Sequence, residues 1–373
     1  MDAKQLLKQY FGYDAFRPGQ REVMSALWRT KAALAVFPTG GGKSLCYQLP
    51  ALMFDGVTLV VSPLIALMKD QIDFLQQRGI PAARLDSTMD LDSTSAVHDE
   101  LRSGKLKLLY VAPERFNNER FLQFLHGVRI ALFAVDEAHC ISEWGHNFRP
   151  DYLKLAKVAR SLHAEHILAL TATATPAVVN DICAGFGIAP ESAIVTGFYR
   201  PNLYLHVTPT TPDTRDALLV TRLLDRQRGS TIIYVTLQKT AERVAALLAQ
   251  AGLPAEAYHA GMESDERNRV QEWWMASNEN IVVATIAFGM GIDKSDVRYI
   301  YHYNLPKGLE SYSQEIGRAG RDGKPSIVEL FACPDDVPTL ENFAYGDTPT
   351  DEALRSLLHE LLNAGEDFAV SLY

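Results

Sequence analysis

Lys43 and Ser44 close the run Phe37-Pro-Thr-Gly-Gly-Gly-Lys-Ser44, in which three glycines precede an ammonium and a hydroxyl. Between an apolar strand-like segment and a helical stretch, such glycines let backbone N–H groups curl round phosphate oxygens. The N-terminus of the following helix adds the positive end of its dipole. Lys43 would reach the β and γ phosphates of ATP and Ser44 would ligate Mg²⁺, with Thr39, Gly40, Gly41 and Gly42 forming the cradle. The strict pattern opens on glycine, and Phe37 departs from it. Ninety-two residues beyond Ser44, Asp136-Glu-Ala-His139 follows the apolar run Ile130 to Val135. Carboxylates at the C-terminal tip of a parallel strand stand where open α/β sheets bind ligands. There Asp136 can hold Mg²⁺ and Glu137 can polarise an attacking water. The third set is Gln314-Glu-Ile-Gly-Arg-Ala-Gly-Arg-Asp-Gly323. Its Arg318 and Arg321 are three apart, on one face if the segment is helical, and either can aim a guanidinium at a γ-phosphate.

These groups need rigid supports, and the rest of the chain supplies the pattern for them. A length of 373 residues exceeds one ordinary core and suits two. Short β-branched runs alternate with helical stretches in two series, the pattern of parallel sheets covered on both faces. The first series is Ala32 to Phe37, Val57 to Ser62, Leu106 to Ala112, Ile130 to Asp136 and His166 to Thr171. The second is Ser230 to Thr236, Ala255 to His259, Asn280 to Thr285, Val297 to Tyr303 and Ile327 to Ala332. Thr208 to Thr214, with its prolines and threonines, reads as the linker between them. Residues 1–207 and 208–343 are therefore expected as two doubly wound domains, each carrying part of one nucleotide site. A helix is expected over Ala241 to Ala251, and residues 344–373 as a helical extension with leucines at helical spacing over Glu352 to Leu362. The chain stops at Ser371-Leu372-Tyr373, so a longer parent protein is expected.

Composition narrows the class. A 47% apolar, 22% charged chain without biased tracts is globular rather than disordered. No apolar run approaches the length of a membrane span, and the N-terminal residues lack the form of an export signal, so a cytoplasmic location is expected. Cys46, Cys140, Cys183 and Cys333 are scattered without a CxxC spacing, which predicts neither a disulfide framework nor zinc. The net charge of −9 speaks against a uniformly basic nucleic-acid coat and leaves room for a local track of phosphate contacts.

Together with several further segments, these motifs resemble the RecQ family of superfamily 2 DNA helicases, from about Leu6 to about Asp335 and in the family's motif order. The resemblance implies two tandem RecA-like domains. Gly12-Tyr-Asp-Ala-Phe-Arg-Pro-Gly-Gln20 is similar to the family's adenine-recognition motif, which implies stacking by Tyr13 and Arg17 and a base-edge contact by Gln20. Val61 to Gln71, containing Ser62 and Lys69, and Ala112 to Arg115 are similar to segments that touch the nucleic-acid backbone. Leu170 to Thr175 resembles the motif that relays the ATP state. Ala284 to Asp293 resembles the one that joins DNA to nucleotide, with Thr285 at the DNA and Asp293 near the ribose; Gln314 counts with the nucleotide site. Cys140 to Arg149 resembles the aromatic-rich loop, in which Trp144, His146, Phe148 and Arg149 would meet unpaired bases and phosphates. The zinc module and winged helix that family members carry are not read in this sequence, so a catalytic core is expected, and Phe343 to Tyr373 reads differently from the usual zinc-module entry, which implies a divergent branch. By resemblance the protein is a monomeric, 3′-5′ ATP-dependent DNA helicase acting on single-stranded and tailed duplex DNA in repair or recombination. The alternatives are a DEAH-type RNA helicase and a nucleotide-gated clamp that does not turn over.

Overall fold

The computed structural model describes residues 2–63, 65–86, 89–142, 149–197, 199–289, 294–345 and 351–363, and its strands form two wholly parallel sheets. The first contains β1 (Ala32–Val36), β2 (Val57–Val61), β3 (Ala82–Leu85), β4 (Leu108–Val111), β5 (Ile130–Val135), β6 (Ile167–Thr171) and β7 (Ala193–Val195). The second contains β8 (Leu203–Pro209), β9 (Thr231–Tyr234), β10 (Ala255–Tyr258), β11 (Ile281–Ala284), β12 (Tyr299–His302) and β13 (Ser326–Ala332). Their orders are β3-β4-β2-β5-β6-β1-β7 and β10-β11-β9-β12-β13-β8.

Both sheets are covered on two sides, as their apolar strands require. Along β5, Phe133 and Val135 enter one core while Leu132 and Ala134 enter the other. On β9 and its continuation, Ile233 and Val235 face one core and Ile232 and Tyr234 the opposite one. Burying all four residues of a strand such as Ile281–Ala284 explains why the strands read as continuous apolar runs rather than alternating ones. Helix Gln238–Gln250 stands where a helix is expected over Ala241 to Ala251; it buries Ala241, Val244, Ala245 and Leu248, while Leu247 and Ala251 are only half-buried. Helix Asp351–Asn363 is likewise present, and its Leu354, Leu357 and Leu358 are exposed. Among the described residues, no helix is long and apolar enough to cross a membrane.

The expected linker is corrected. Thr208 and Pro209 are the last residues of β8, which pairs with β13 through Ala332, and Pro212–Thr214 form the first turn of helix Pro212–Asp225. Proline is tolerated there because β8 is an edge strand and Pro212 stands at a helix start, where an N–H has no intrahelical partner. A boundary at 207/208 would fall inside β8. The passage between the sheets lies instead at residues 196–202.

Candidate nucleotide site between the two sheets

Parallel strands bring their C-terminal ends to one edge, and the order β5-β6-β1 sets the spacing there. The loop after β1 and the carboxylates after β5 are separated by one intervening strand, roughly 10 Å across two strand spacings. Gly40 and Gly42 both take left-handed backbone at φ 79°, and a Cβ on Gly42 would come 2.5 Å from Gln20 Nε2. The loop runs straight into helix Leu45–Met53, whose N-terminal end it faces. Lys43 donates through Nζ to the Phe37 carbonyl at 3.3 Å. Burial pushes its pKa down, while the charges of Glu137 and Asp136 act in the opposite direction.

The segment expected to read the base braces this loop. Arg17 donates through Nη1 to the Gly40 carbonyl. Gln20 accepts from the Arg17 N–H at 2.8 Å and donates through Nε2 to the Gly42 carbonyl at 2.9 Å. Tyr13 is exposed. Phe37, the departure from the strict loop pattern, is buried, with its ring 2.7 Å from where a Cβ on Gly19 would stand. The phenyl fills the space between the loop and the bracing segment, which accounts for an aromatic at that position.

After β5, the Asp136 N–H bonds to the Val61 carbonyl at 2.8 Å, and buried Tyr152 donates to the Asp136 carbonyl at 3.0 Å. Glu137 adopts left-handed backbone at φ 49°, unusual for a side chain with a Cβ and characteristic of functional turns. Burial and the adjacent Glu137 charge raise the Asp136 carboxyl above the usual range. Such a half-buried acid suits an added cation, which would relieve that strain in charge. His139 is buried with Nδ1 3.3 Å from Glu137 Oε2 and 2.8 Å from Thr171 Oγ1, and Thr171 donates to the Thr173 carbonyl at 2.9 Å. Burial works against a charge on His139, but hydrogen bonding with Cys140 and Glu137 outweighs it and raises its pKa to about 10. The carboxylate tip is thereby wired to the segment Leu170 to Thr175.

The arginines come from the second sheet, and here an expectation fails. Helix Leu309–Ile316 ends at Gly317, so Arg318 and Arg321 lie in the following turn and share no helical face. Arg318 is buried and donates through Nη1 to the Gly289 carbonyl within its own unit. Arg321 crosses towards the phosphate loop, with Cγ 3.4 Å from the position of a Cβ on Gly40, close enough for its charge to be felt by Lys43. A Cβ on Gly317 would stand 2.6 Å from Thr39 Cβ, so the two units touch at this point. Arg200 spans them, donating to the Thr39 carbonyl at 3.2 Å and the Gly320 carbonyl at 2.8 Å. Neither Arg200 nor Asn202 is legible from sequence alone, since an Arg-Pro-Asn loop carries no periodicity and no motif spacing.

Of the residues expected at nucleic acid, Ser62 is buried with its N–H on the Val111 carbonyl, and Lys69 is exposed on helix Ile65–Gln76. Arg149 is exposed and its N–H bonds to the Cys140 carbonyl at 2.9 Å. Thr285 lines a cleft of about 540 Å³ at the C-terminal ends of β9, β11 and β12, together with Thr236, Lys239, Asn304 and Lys307. Gln314 is half-buried on the helix before the arginines. Trp144, His146, Phe148 and Asp293 lie outside the described residues.

Comparison with known proteins agrees with the two-domain fold. Residues 17–182 match the DEAD/DEAH box helicase family and residues 214–323 match the helicase conserved C-terminal domain. The ATP-dependent DNA helicase RecQ of Haemophilus influenzae is 45% identical over 370 residues, 99% of this chain and 59% of that protein. The probable ATP-dependent DNA helicase RecS of Bacillus subtilis is 38% identical over 360 residues, 96% of this chain and 72% of that protein. The chain spans about three fifths of the length of the Haemophilus and Bacillus RecQ relatives, 59% and 61%. Among solved structures, the DUF1998 helicase MrfA bound to DNA superposes with a TM-score of 0.72 at 17% identity, covering 92% of this chain and 50% of that one. The Mycobacterium smegmatis helicase Lhr bound to ssDNA and AMP-PNP gives 0.67 at 21%, with the same coverages. At those identities the likeness is one of fold.

Proposed function

The chain belongs to the RecQ family of ATP-dependent DNA helicases, and on that premise we propose that it is a monomeric cytoplasmic motor that steps 3′ to 5′ along single-stranded DNA and opens tailed duplexes. The observation that carries this reading is the approach of Arg321 to Gly40: a phosphate loop on one sheet and a guanidinium from the other converge on one cleft. Hydrolysis then requires both units to be in register, which is what converts a chemical step into a movement. We take the first unit to end before β8, the second to run to residue 343, and residues 344–373 to begin a C-terminal extension.

In this mechanism Lys43 and the loop N–H groups hold the β and γ phosphates, and Gly40 and Gly42 admit them because a Cβ there would demand a backbone that other residues rarely adopt. Ser44 and Asp136 are the residues that would hold Mg²⁺, which supplies neutralising charge to the phosphates. Glu137 orients and polarises the attacking water. Arg321 stabilises charge on the transferred phosphoryl group, and loss of that group lets the cleft reopen. His139 and Thr171 carry the change at Glu137 towards the strand-binding face. Tyr13 stacks on the base, Thr285 contacts DNA, and Trp144, His146, Phe148 and Arg149 meet unpaired bases.

The test measures phosphate release with single-stranded DNA, with RNA of the same sequence and with neither, and in parallel the opening of a 3′-tailed duplex. Stimulation by DNA alone and ATP-dependent opening are expected. Equal stimulation by RNA would transfer the assignment to an RNA helicase, and tight ATP-dependent DNA binding without turnover would make the protein a clamp.

A further inference from the structure

We propose that Arg200 is a positioning residue of the hydrolytic step: from the connection between the two sheets, its guanidinium ties the phosphate loop to the turn that presents Arg321. The inference rests on the reading of the cleft as an ATP site and adds a part that the motifs do not contain.

Arg200 lies between β7, the last strand of the first sheet in chain order, and β8, the first of the second, so it sits in the connection between the units. Its Nη1 donates to the Thr39 carbonyl at 3.2 Å and to the Gly317 carbonyl at 3.4 Å. Its Nη2 donates to the Ala319 carbonyl at 2.9 Å and to the Gly320 carbonyl at 2.8 Å. One acceptor thus belongs to the phosphate loop and three belong to the turn immediately before Arg321. Asn202 grips the same turn, its amide donating to the carbonyls of Gly320 at 2.8 Å and Lys324 at 3.0 Å. Arg200 Nε reaches Asn202 Oδ1 at 3.4 Å, so the two side chains act as one clamp.

Charge strengthens the argument. The acceptors are neutral carbonyls, while the nearest charges are cations: after burial itself, Arg321 and Arg17 lower the pKa of Arg200 from its usual value. A guanidinium held among like charges is costly for stability alone and is matched when a polyanion enters the same space. Because the strut is anchored in the connection, any rotation of one unit against the other shifts the Gly317–Gly320 turn relative to Thr39. Arg321 moves with it. Only the planar fork of arginine can span acceptors in two separate segments; a lysine ammonium keeps the charge but concentrates its donors at one point.

The test is a double-mutant cycle on the full chain, measuring phosphate release at saturating single-stranded DNA and affinity for a fluorescent ADP analogue. Arg200→Ala is expected to lower kcat about 10²-fold, the scale of a displacement near 1 Å, while ADP affinity stays within about twofold. Arg200→Lys should fall nearly as far, since charge without the fork does not restore the span. In an Arg321→Ala background, removing Arg200 should cost no more than about a further twofold, because both act on one step. Multiplying losses in the double variant would overturn the inference, as would full activity in Arg200→Lys or loss of ADP binding in Arg200→Ala. Should Arg200→Ala fail to fold, the cycle is run with Arg200→Lys. Wild-type turnover in Arg321→Ala alone would instead sink the ATP-site reading itself.

Discussion

Replacing Arg318 and Arg321 separately by alanine should divide two effects that sequence spacing leaves together. Arg321 leans towards the phosphate loop, its Cγ 3.4 Å from where a Cβ on Gly40 would stand. A guanidinium about 4 Å from a developing unit charge, at an effective dielectric constant near 20, contributes roughly 4 kcal/mol. That corresponds to about 10³-fold in rate, at the lower end of the range for arginine fingers. Arg321→Ala should therefore cut DNA-stimulated kcat by about 10³-fold with little change in Tm. Arg318 is buried and bonded to the Gly289 carbonyl. Its loss removes a charge-assisted hydrogen bond worth roughly 1.5–3 kcal/mol, which in a unit of this size lowers Tm by roughly 3–12 °C. Phosphate release at saturating ATP and DNA, with thermal unfolding of the same preparations, separates the two. If Arg318→Ala lowered kcat as far as Arg321→Ala at an unchanged Tm, the assignment of Arg321 to the cleft would be wrong.

Glu137→Gln should reduce DNA-dependent phosphate release by about 10³-fold or more while ATP binding is retained, because the amide keeps the volume but not the charge that polarises water; equal rates would remove Glu137 from the chemistry. Gly317→Ala places a methyl 2.6 Å from Thr39 Cβ without any backbone penalty, since Gly317 has ordinary helical backbone. It should wedge the cleft and lower kcat about tenfold or more, and Thr39→Gly in the same chain should recover part of the loss; no recovery would refute the contact. Glu329 is buried on β13 and bonded by Thr208 at 2.9 Å, Arg222 at 3.0 Å and Arg226 at 2.6 Å. Burial would raise its pKa, but those hydrogen bonds and the Arg226 charge hold it below the usual carboxylate range. The stability it adds is complete above the ordinary glutamate pKa of about 4.3 and is lost as pH falls through the lower folded value. Glu329→Gln should cost roughly 2 kcal/mol at pH 7, the buried-pair figure reduced because Arg222 and Arg226 are partly exposed. In thermal melts that gap should close below about pH 4, and a gap independent of pH would refute the charge-based account.

The central strands are legible because both faces of a parallel sheet must be apolar, which writes them as uninterrupted apolar runs such as Ile130–Val135. Edge strands escape that rule. β3, β7, β8 and β10 have only one neighbouring strand each; β10 is still legible as Ala255 to His259, whereas β3, β8 and the three-residue β7 carry too little pattern to announce themselves. The linker expected at Thr208 to Thr214 fails for the same reason: prolines that would break a central strand are harmless at an edge and at a helix start.

Groups that lie within one loop are set beside one another by the order of residues. Three glycines before Lys43 and Ser44, or two carboxylates after an apolar strand, determine local backbone and charge whatever surrounds them. Which groups meet across the cleft was decided by the tertiary structure. Arg318 and Arg321 differ in placement because the helix stops at Gly317 and the next turn sends one inward to Gly289 and the other outward towards Gly40. Arg200 gains its place solely because Thr39 and Gly320 stand within reach of one guanidinium, 161 and 120 residues away along the chain. Local motifs are short-range consequences of steric and electrostatic preference, whereas contacts at such separations exist only once two sheets have formed and been set against each other.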